Sequence, residues 1–235
     1  MLTLAIATHA AAVVVFTRAW NELPLVGLGP SLSVLALLVA LGSLGVATLG
    51  RTGPLGLILV PVAAALAAVA QVVGVHPDGE VLDFRGPWFV LHVVLAMLGY
   101  AALAVAWAAA VMYLLQWRQL KGKRFGAVFR FFPPLDTLDR IGRIALIAGL
   151  PMLSAALLLG WAWTERFGHP MAAANPKVVW GVLSWLAFAG ALGARAGGGR
   201  AARRAALATV VGFALVVVSY LLLRVGTAHP GGGFL

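Results

Sequence analysis

The sequence contains no cysteine and few charged residues, and these two shortages exclude several kinds of protein. Charged residues make up 10% of the 235 residues, against about 25% in a typical soluble domain. Without cysteine the chain can form no disulfide and no thiolate metal site. Acidic residues are the scarcer charged class, with seven against 17 basic residues and a formal net charge of +10. Any metal chemistry must therefore use the five histidines, with carboxylates or methionines in support.

Apolar sequence is abundant, since 62% of the residues are hydrophobic. A helix that crosses about 30 Å of hydrocarbon needs about 20 apolar residues at 1.5 Å each. Seven segments are long enough, and they cover residues 2–20, 30–49, 54–73, 87–117, 138–163, 176–192 and 205–223. The sequence therefore predicts an all-α polytopic membrane protein, a bundle of seven transmembrane helices that forms a single domain over residues 1–235.

The N-terminus, MLTLAIATHAAAVVVF, has no basic residue before its apolar run and carries a histidine within it. It therefore lacks the charged start and the cleavage site of a signal peptide. We expect it to be retained as the first helix.

The basic residues are divided unevenly between the two sides of this seven-helix arrangement. One side carries twelve basic and two acidic residues, and the other carries five of each. The positive-inside rule makes the first side cytoplasmic, with Met1 inside and Leu235 outside. Because these basic residues lie between apolar runs and build no basic face on a soluble fold, nucleic acid is not the expected partner. They are expected to signal topology and to attract anionic membrane lipid.

Four of the five histidines fall on the predicted external side. His92 lies about one turn inside the outer end of the fourth helix, and His229 lies just beyond the outer end of the seventh. A six-coordinate heme iron takes two imidazoles from separate elements and needs no thiolate. Two histidines at matching depth on different helices could therefore hold a heme iron, although either one alone could be an interfacial side chain or a hydrogen-bonded core residue. His76 and His169 are expected to be ordinary loop residues.

His9 differs from the other histidines because it lies about seven residues, or roughly 10 Å, inside the membrane, on the cytoplasmic half of the first helix. An ionisable residue in a spanning segment indicates a functional site, since it must face a cavity, a partner or a ligand. Small helical neighbours would allow a flat ligand or another helix to approach closely. Two roles stay open for His9, a second heme position or a hydrogen bond that packs helices. Met97, Met112 and Met152 are expected to fill the core.

Five of the eight tryptophans lie at the predicted external boundary, and only Trp117 lies near the cytoplasmic one. An aromatic belt should mark both boundaries. The alternative is that Trp161, Trp163 and Trp180 form an indole-lined shelf for a planar porphyrin between the two external histidines. Three basic residues lie at the same level and could pair with propionate carboxylates, and these are Arg85, Arg166 and Lys177.

Four segments carry a family resemblance, and in chain order they include GPWFVLHVVLAML, LDTLDRIGRIALIAGLPML, NPKVVWGVL and VVVSYLLLRVGTAH. Over about residues 87–230 the chain resembles the cytochrome c assembly family in its HemX/CcsA branch. The resemblance implies a bacterial or plastid membrane protein that binds or exports heme, with two external histidines on either side of a Trp-rich loop. Those histidines correspond to His92 and His229, and the segment THAAAVVVF resembles the family segment that carries a histidine within the membrane, at His9.

Two features depart from the family pattern. Members that attach heme to apocytochrome carry a Trp-Gly-x-x-Trp-x-Trp-Asp-Pro-Lys loop, which is reduced here to Trp161, Trp163 and Asn175-Pro176-Lys177, with Asn in place of Asp. We therefore expect that the protein has no ligase activity and is not an enzyme. HemX-like relatives usually have eight helices, and the resemblance at His9 implies that the first helix here corresponds to their second.

The predicted function, with the resemblance taken into account, is to bind heme b at the external face of the bacterial cytoplasmic membrane through His92 and His229. The protein would handle this heme during cytochrome c or respiratory-complex assembly, with cytochrome c assembly proteins as partners. An alternative implied by the resemblance to HemX is regulation of tetrapyrrole synthesis through glutamyl-tRNA reductase, with a cytoplasmic partner docking over residues 121–143. A small-solute transporter is the least favoured class, because the sequence places no Asp or Glu within a helix core.

Overall fold

The computed structural model describes residues 1–50, 52–77, 86–123, 131–166, 176–195 and 201–226. Over these residues the chain is helical and contains no strand, which confirms the predicted all-α class. The helices are α1 (Leu2–Trp20), α2 (Leu28–Thr48), α3 (Gly56–Val73), α4 (Pro87–Lys121), α5 (Leu135–Arg166), α6 (Pro176–Gly193) and α7 (Ala201–Gly226). A short 3-10 helix, Gly53–Leu55, precedes α3.

Six helices in the described part of the chain are long and apolar enough to cross a membrane, and α6 contributes a shorter apolar stretch, Val178–Gly193. The predicted polytopic helical membrane bundle is thereby confirmed. Several helices extend beyond the apolar segments, since α4 continues to Lys121, α5 begins at Leu135 and α7 begins at Ala201. Hydropathy marks the part of a helix that suits lipid, whereas backbone hydrogen bonding continues into the polar ends.

Helix α4 lies at the centre of the bundle, where it packs against α2, α5 and α7. Small residues let these helices approach closely. A Cβ atom added at Gly149 of α5 would lie 2.8 Å from the ring of Phe188 and 2.9 Å from the side chain of Ala102 on α4. The buried face of α4 is correspondingly rich in alanine, with Ala101, Ala104, Ala106, Ala108, Ala109 and Ala110.

Helix α1 lies at the edge of the bundle. It packs against α2 and contains no buried residue. Its neighbour α2 is partly buried against α3 and α4 through residues that include Ala36 and Val39. The apolar surface of α1 is therefore largely available to lipid.

The two ends of the bundle differ in chemistry. Helices α2, α4 and α6 begin at one end, which we name the His92 end after the histidine near the start of α4. The opposite end, which we name the basic end, includes the cations Arg118 and Lys121 in the last turn of α4. At the basic end Nη1 of Arg195, just after α6, donates to Oδ1 of Asp139 on α5 at 2.5 Å. This ion pair joins the end of α6 to the start of α5.

Candidate functional site

His92 lies on α4, five residues after Pro87, which is about 7.5 Å along the helix axis. Its side chain is half-buried, and its Nδ1 is 2.7 Å from the carbonyl oxygen of Ala156 on α5. A carbonyl oxygen only accepts hydrogen bonds, so Nδ1 carries the proton and Nε2 of the neutral ring carries the lone pair. A backbone carbonyl that fixes the tautomer in this way is typical of histidines that bind a metal through the other nitrogen.

Gly160, one helical turn after Ala156, makes room for the His92 ring. A Cβ atom added at Gly160 would lie 2.9 Å from Cε1 of His92 and 3.2 Å from its Nδ1. Contacts shorter than 3.0 Å require a shift of the ring or of the helix. Because Gly160 has no side chain, the imidazole can reach the Ala156 carbonyl. We name the turn of α5 from Ala156 to Gly160 the seat of His92.

Much of the predicted external site lies outside the described residues. His229, which we predict as the second iron ligand, and Arg85 are in segments that the structure does not describe. Trp163 and Arg166 fall in the last residues of α5, and Lys177 falls in the first turn of α6, but their side chains are not described. The pairing of His92 with His229 stays a prediction, as do the contacts of these four other residues with heme.

Trp161 directly follows Gly160 near the end of α5, and 65% of its surface is exposed. Its indole therefore lies at the bundle surface, on the same helical turn as the seat of His92. This position fits both an aromatic belt and a porphyrin shelf, so the assignment of Trp161 to the shelf stays a prediction.

Trp180, near the start of α6, is instead packed into the bundle. Its Nε1 donates to the carbonyl oxygen of Val216 on α7 at 3.0 Å. Its ring lies 4.8 Å from that of Tyr100 and 5.4 Å from that of Tyr220, centroid to centroid. Two tyrosines and a backbone carbonyl thus hold this indole between α4, α6 and α7, where it anchors the start of α6.

The start of α6 nevertheless lies beside the turn of α5 that seats His92. A Cβ atom added at Gly181 would lie 2.9 Å from the Leu157 side chain, and Leu157 directly follows the carbonyl acceptor Ala156. The start of α6 is therefore adjacent to the Ala156 turn, whereas the Trp180 ring contacts Tyr100, eight residues further along α4 than His92.

His9 forms an interhelical hydrogen bond, with its Nε2 2.9 Å from Oγ of Ser33 on α2. Such a contact is expected of a histidine that packs helices together, and the heme-ligand role stays a prediction. Ser33 lies five residues after Leu28, so along α2 the pair is about 7.5 Å from the His92 end. Along α1, however, His9 lies in the first half of the helix, eleven residues or about 16.5 Å before its end at Trp20. Because His9 contacts Ser33, α1 must extend further toward the His92 end than the start of α2 does.

The three methionines that we expected to fill the core occupy packing positions. Met97 and Met112 are buried in the core, and Met152 is half-buried. Among the residues that the structure describes, no three His, Asp or Glu side chains come together to hold a bare metal ion.

Sequence reasoning missed the residues that support the candidate ligands. Ala156 and Gly160 carry no chemical signal of their own, because their role depends on which helices pack together. Ser33 is the residue with the clearest signal, since it places a polar side chain within an apolar segment opposite the membrane histidine.

Comparison with known proteins identifies the family. The model of the family described as "Cytochrome C assembly protein" matches residues 3–229. A cytochrome c biogenesis protein CcsA of Guillardia theta is 28% identical over 152 residues, which cover 58% of this chain and 50% of that protein. An uncharacterized 28.8 kDa protein of Azospirillum brasilense is 34% identical over 149 residues, or 63% of this chain and 52% of that protein.

A third relative, Protein HemX of Brevibacillus brevis, is 39% identical over 72 residues, which cover 31% of this chain and 26% of that protein. The chain spans about half the length of the CcsA relatives that it matches. The family model, in contrast, matches nearly the whole chain. The chain therefore belongs to the cytochrome c assembly protein family.

Proposed function

We propose that this protein binds heme b through His92 and His229 at the outer face of the membrane and holds or passes it during cytochrome c biogenesis. The single observation that carries this function is the hydrogen bond from Nδ1 of His92 to the Ala156 carbonyl, which leaves Nε2 as the ligand atom. Membership in the cytochrome c assembly family supports heme as the group that is handled.

The contacts that the described residues make with His92 suit a histidine that binds heme iron. The fixed tautomer and the seat at Gly160 orient the ring before any ligand binds, so little rotational freedom is lost when iron binds. Heme would supply an iron that imidazole nitrogens bind, and His92 would supply one such nitrogen. His229 would supply the second nitrogen.

The tryptophans and cations near this end would hold the porphyrin itself. We assign Trp161 and Trp163 to the surface on which the porphyrin rests, with Trp180 anchoring α6 beside it. The propionates would pair with basic side chains, for which the sequence offers Arg85, Arg166 and Lys177. Each of these groups would bind or orient heme. Because the loop departs from the Trp-Gly-x-x-Trp-x-Trp-Asp-Pro-Lys pattern of members that attach heme to apocytochrome, we propose a heme-handling role and no enzymatic one.

The proposed membrane orientation follows from the distribution of charge. Eight of the described cations lie at the basic end, and they are Arg118, Lys121, Lys123, Arg140, Arg143, Arg195, Arg203 and Arg204. The positive-inside rule then places that end in the cytoplasm of a bacterium and the His92 end outside the cytoplasmic membrane. The N-terminus would be cytoplasmic and the C-terminus external.

An absorption spectrum of the detergent-purified full chain tests heme binding directly. Low-spin heme with two nitrogen ligands should give a Soret band and sharp α and β bands after reduction. If these bands are missing from the protein as purified and also after heme is added, the protein does not have this function.

Regulation of tetrapyrrole synthesis is a second candidate function, and the specific observation in its favour is the match to Protein HemX. In this case the basic end would bind glutamyl-tRNA reductase. Co-purification of that enzyme with the full chain, lost when cations of α5 such as Arg140 and Arg143 are replaced by Ala, would support regulation. A heme-handling protein without this role would retain its heme spectrum and capture no reductase.

A further inference from the structure

Trp117, in the last two turns of α4, carries two cations on its ring. Cζ of Arg203 lies 4.3 Å from the ring centroid, and Nζ of Lys121 lies 5.4 Å from it. Lys121 is one helical turn beyond Trp117 on α4, whereas Arg203 comes from the first turn of α7. The indole thus brings two cations from different helices together at the basic end.

These two cations present hydrogen-bond donors suited to an anion with several oxygens. A guanidinium near an aromatic face keeps its five N–H donors in one plane, so they remain able to make paired bonds at its edge. The lysine ammonium adds three more donors nearby. Phosphate, with several acceptor oxygens on one centre, matches such a pair of cations.

The surrounding residues make this place strongly positive. Arg118 and Lys123 are exposed at the same end of α4 as Lys121. The first turn of α7 contains no acidic residue, and neither does any part of α4. The N-terminus of α7 adds the positive end of its helix dipole. Among the described residues, the carboxylates at this end are Asp136 and Asp139 on α5, and Asp139 is paired with Arg195.

The face of α7 that continues from Arg203 is apolar and exposed. Leu207, one turn further along, is 41% exposed, and Val211, another turn along, is 56% exposed. Leu215 and Leu222 continue the exposed apolar surface at 62% and 67%. A cationic site beside an apolar stripe fits a molecule with a charged head and hydrocarbon chains, and the chains of one lipid would cover about half of the ~30 Å core.

We propose that Trp117, Lys121 and Arg203 form a binding site for the phosphate headgroup of an anionic phospholipid, whose acyl chains follow the exposed apolar stripe of α7. The headgroup would bridge α4 and α7 at the membrane boundary. This site does not depend on heme binding at the opposite end of the bundle.

Native mass spectrometry of the full chain released from detergent tests the site. The protein is incubated separately with phosphatidylglycerol, phosphatidylcholine and inorganic phosphate. We expect retention of phosphatidylglycerol in preference to the other two. Arg203→Ala should weaken that retention about fivefold, the effect of removing one cation near an anionic lipid. Lys121→Ala, a change at an exposed side chain, is a second variant with the same expected direction.

Arg143→Ala is the matched control, because Arg143 is an exposed arginine at the same end but on α5. It should leave phosphatidylglycerol retention unchanged. Equal loss in the control would mean that only overall charge matters, and equal retention of phosphatidylcholine would mean that the site has no preference for an anionic lipid. Binding of inorganic phosphate that depends on Arg203 and matches the lipid would assign a free-anion site. Unchanged lipid retention in both Arg203→Ala and Lys121→Ala would indicate that this surface binds an acidic protein partner. Each of these results would overturn the lipid site.

Discussion

Nδ1 of His92 on α4 donates a hydrogen bond to the carbonyl oxygen of Ala156 on α5, 2.7 Å away, across the most extensive helix contact in the bundle. The imidazole is therefore fixed in one tautomer by a neighbouring helix rather than by its own. The orientation of the proposed iron ligand depends on how α4 and α5 pack, and changes at that contact should alter heme binding without touching the ligand itself.

Replacing Gly160 by Ala should displace the His92 ring, because the new Cβ would lie 2.9 Å from Cε1. Loss of an outer hydrogen bond of this kind lowers metal affinity by about 10- to 100-fold, and we expect heme affinity in a titration to fall within that range. Gly190→Ala is the control, since a Cβ atom there meets no atom within 4 Å. If both variants bind heme like the wild type, Gly160 does not position His92.

His9 offers a test of helix packing against heme ligation. The hydrogen bond to Ser33 predicts that His9→Gln keeps the melting temperature and the heme content, because Gln supplies a hydrogen-bonding group of similar size. His9→Leu and Ser33→Ala should each destabilise by about 0.6 kcal/mol, the average for hydrogen bonds between membrane helices. The double variant should cost no more than one single variant. A drop in the heme-to-protein ratio of His9→Gln, with the His92 spectrum retained, would instead assign a second heme position.

Two tryptophans near the His92 end should respond differently to the same substitution. Trp180→Phe removes the donor to Val216 and should lower the free energy of unfolding by about 1 kcal/mol. Trp161→Phe changes a side chain that is 65% exposed, so it should lower the melting temperature less than Trp180→Phe does, whereas heme affinity should fall if the indole supports the porphyrin. Thermal melts and heme titrations of both variants check this. Loss of stability in Trp161→Phe alone would contradict the packing described here.

The fold was largely predictable from the sequence, because the thickness of a bilayer sets the length of each apolar segment. The helix ends were less predictable, since α4 and α7 continue into basic sequence that hydropathy does not count. The rotation of each helix was not predictable, because it depends on packing between distant segments. Trp180 and Trp161 therefore looked alike in the sequence, although one indole is packed inward and the other is exposed.

Within the site, the position of His92 near the start of its helix followed from counting residues. Its hydrogen bond to Ala156 did not, since the two residues are 64 positions apart and the acceptor is a backbone atom. The contact of His9 with Ser33 likewise depends on the vertical offset between α1 and α2, which neither segment shows alone.

Reporter fusions test the membrane orientation. A periplasm-active reporter after Leu235 should be active, and the same reporter inserted next to Lys121 should be inactive, because twelve of the 17 basic residues fall on the predicted cytoplasmic side. A reporter that is active only in the cytoplasm shows the reverse pattern and serves as the control. A cytoplasmic C-terminus would contradict the proposed orientation, in which His92 and His229 lie on the external side.

The reduced-minus-oxidised absorption spectrum of the purified His92→Ala variant is the most direct test of heme ligation. We predict that the low-spin α and β bands of the wild type are replaced by a five-coordinate spectrum or by loss of heme, and that added imidazole partly restores the bands. His76→Ala, which removes an exposed histidine outside the proposed site, should keep the wild-type spectrum. A wild-type low-spin spectrum in His92→Ala would contradict the assignment of His92 as an iron ligand.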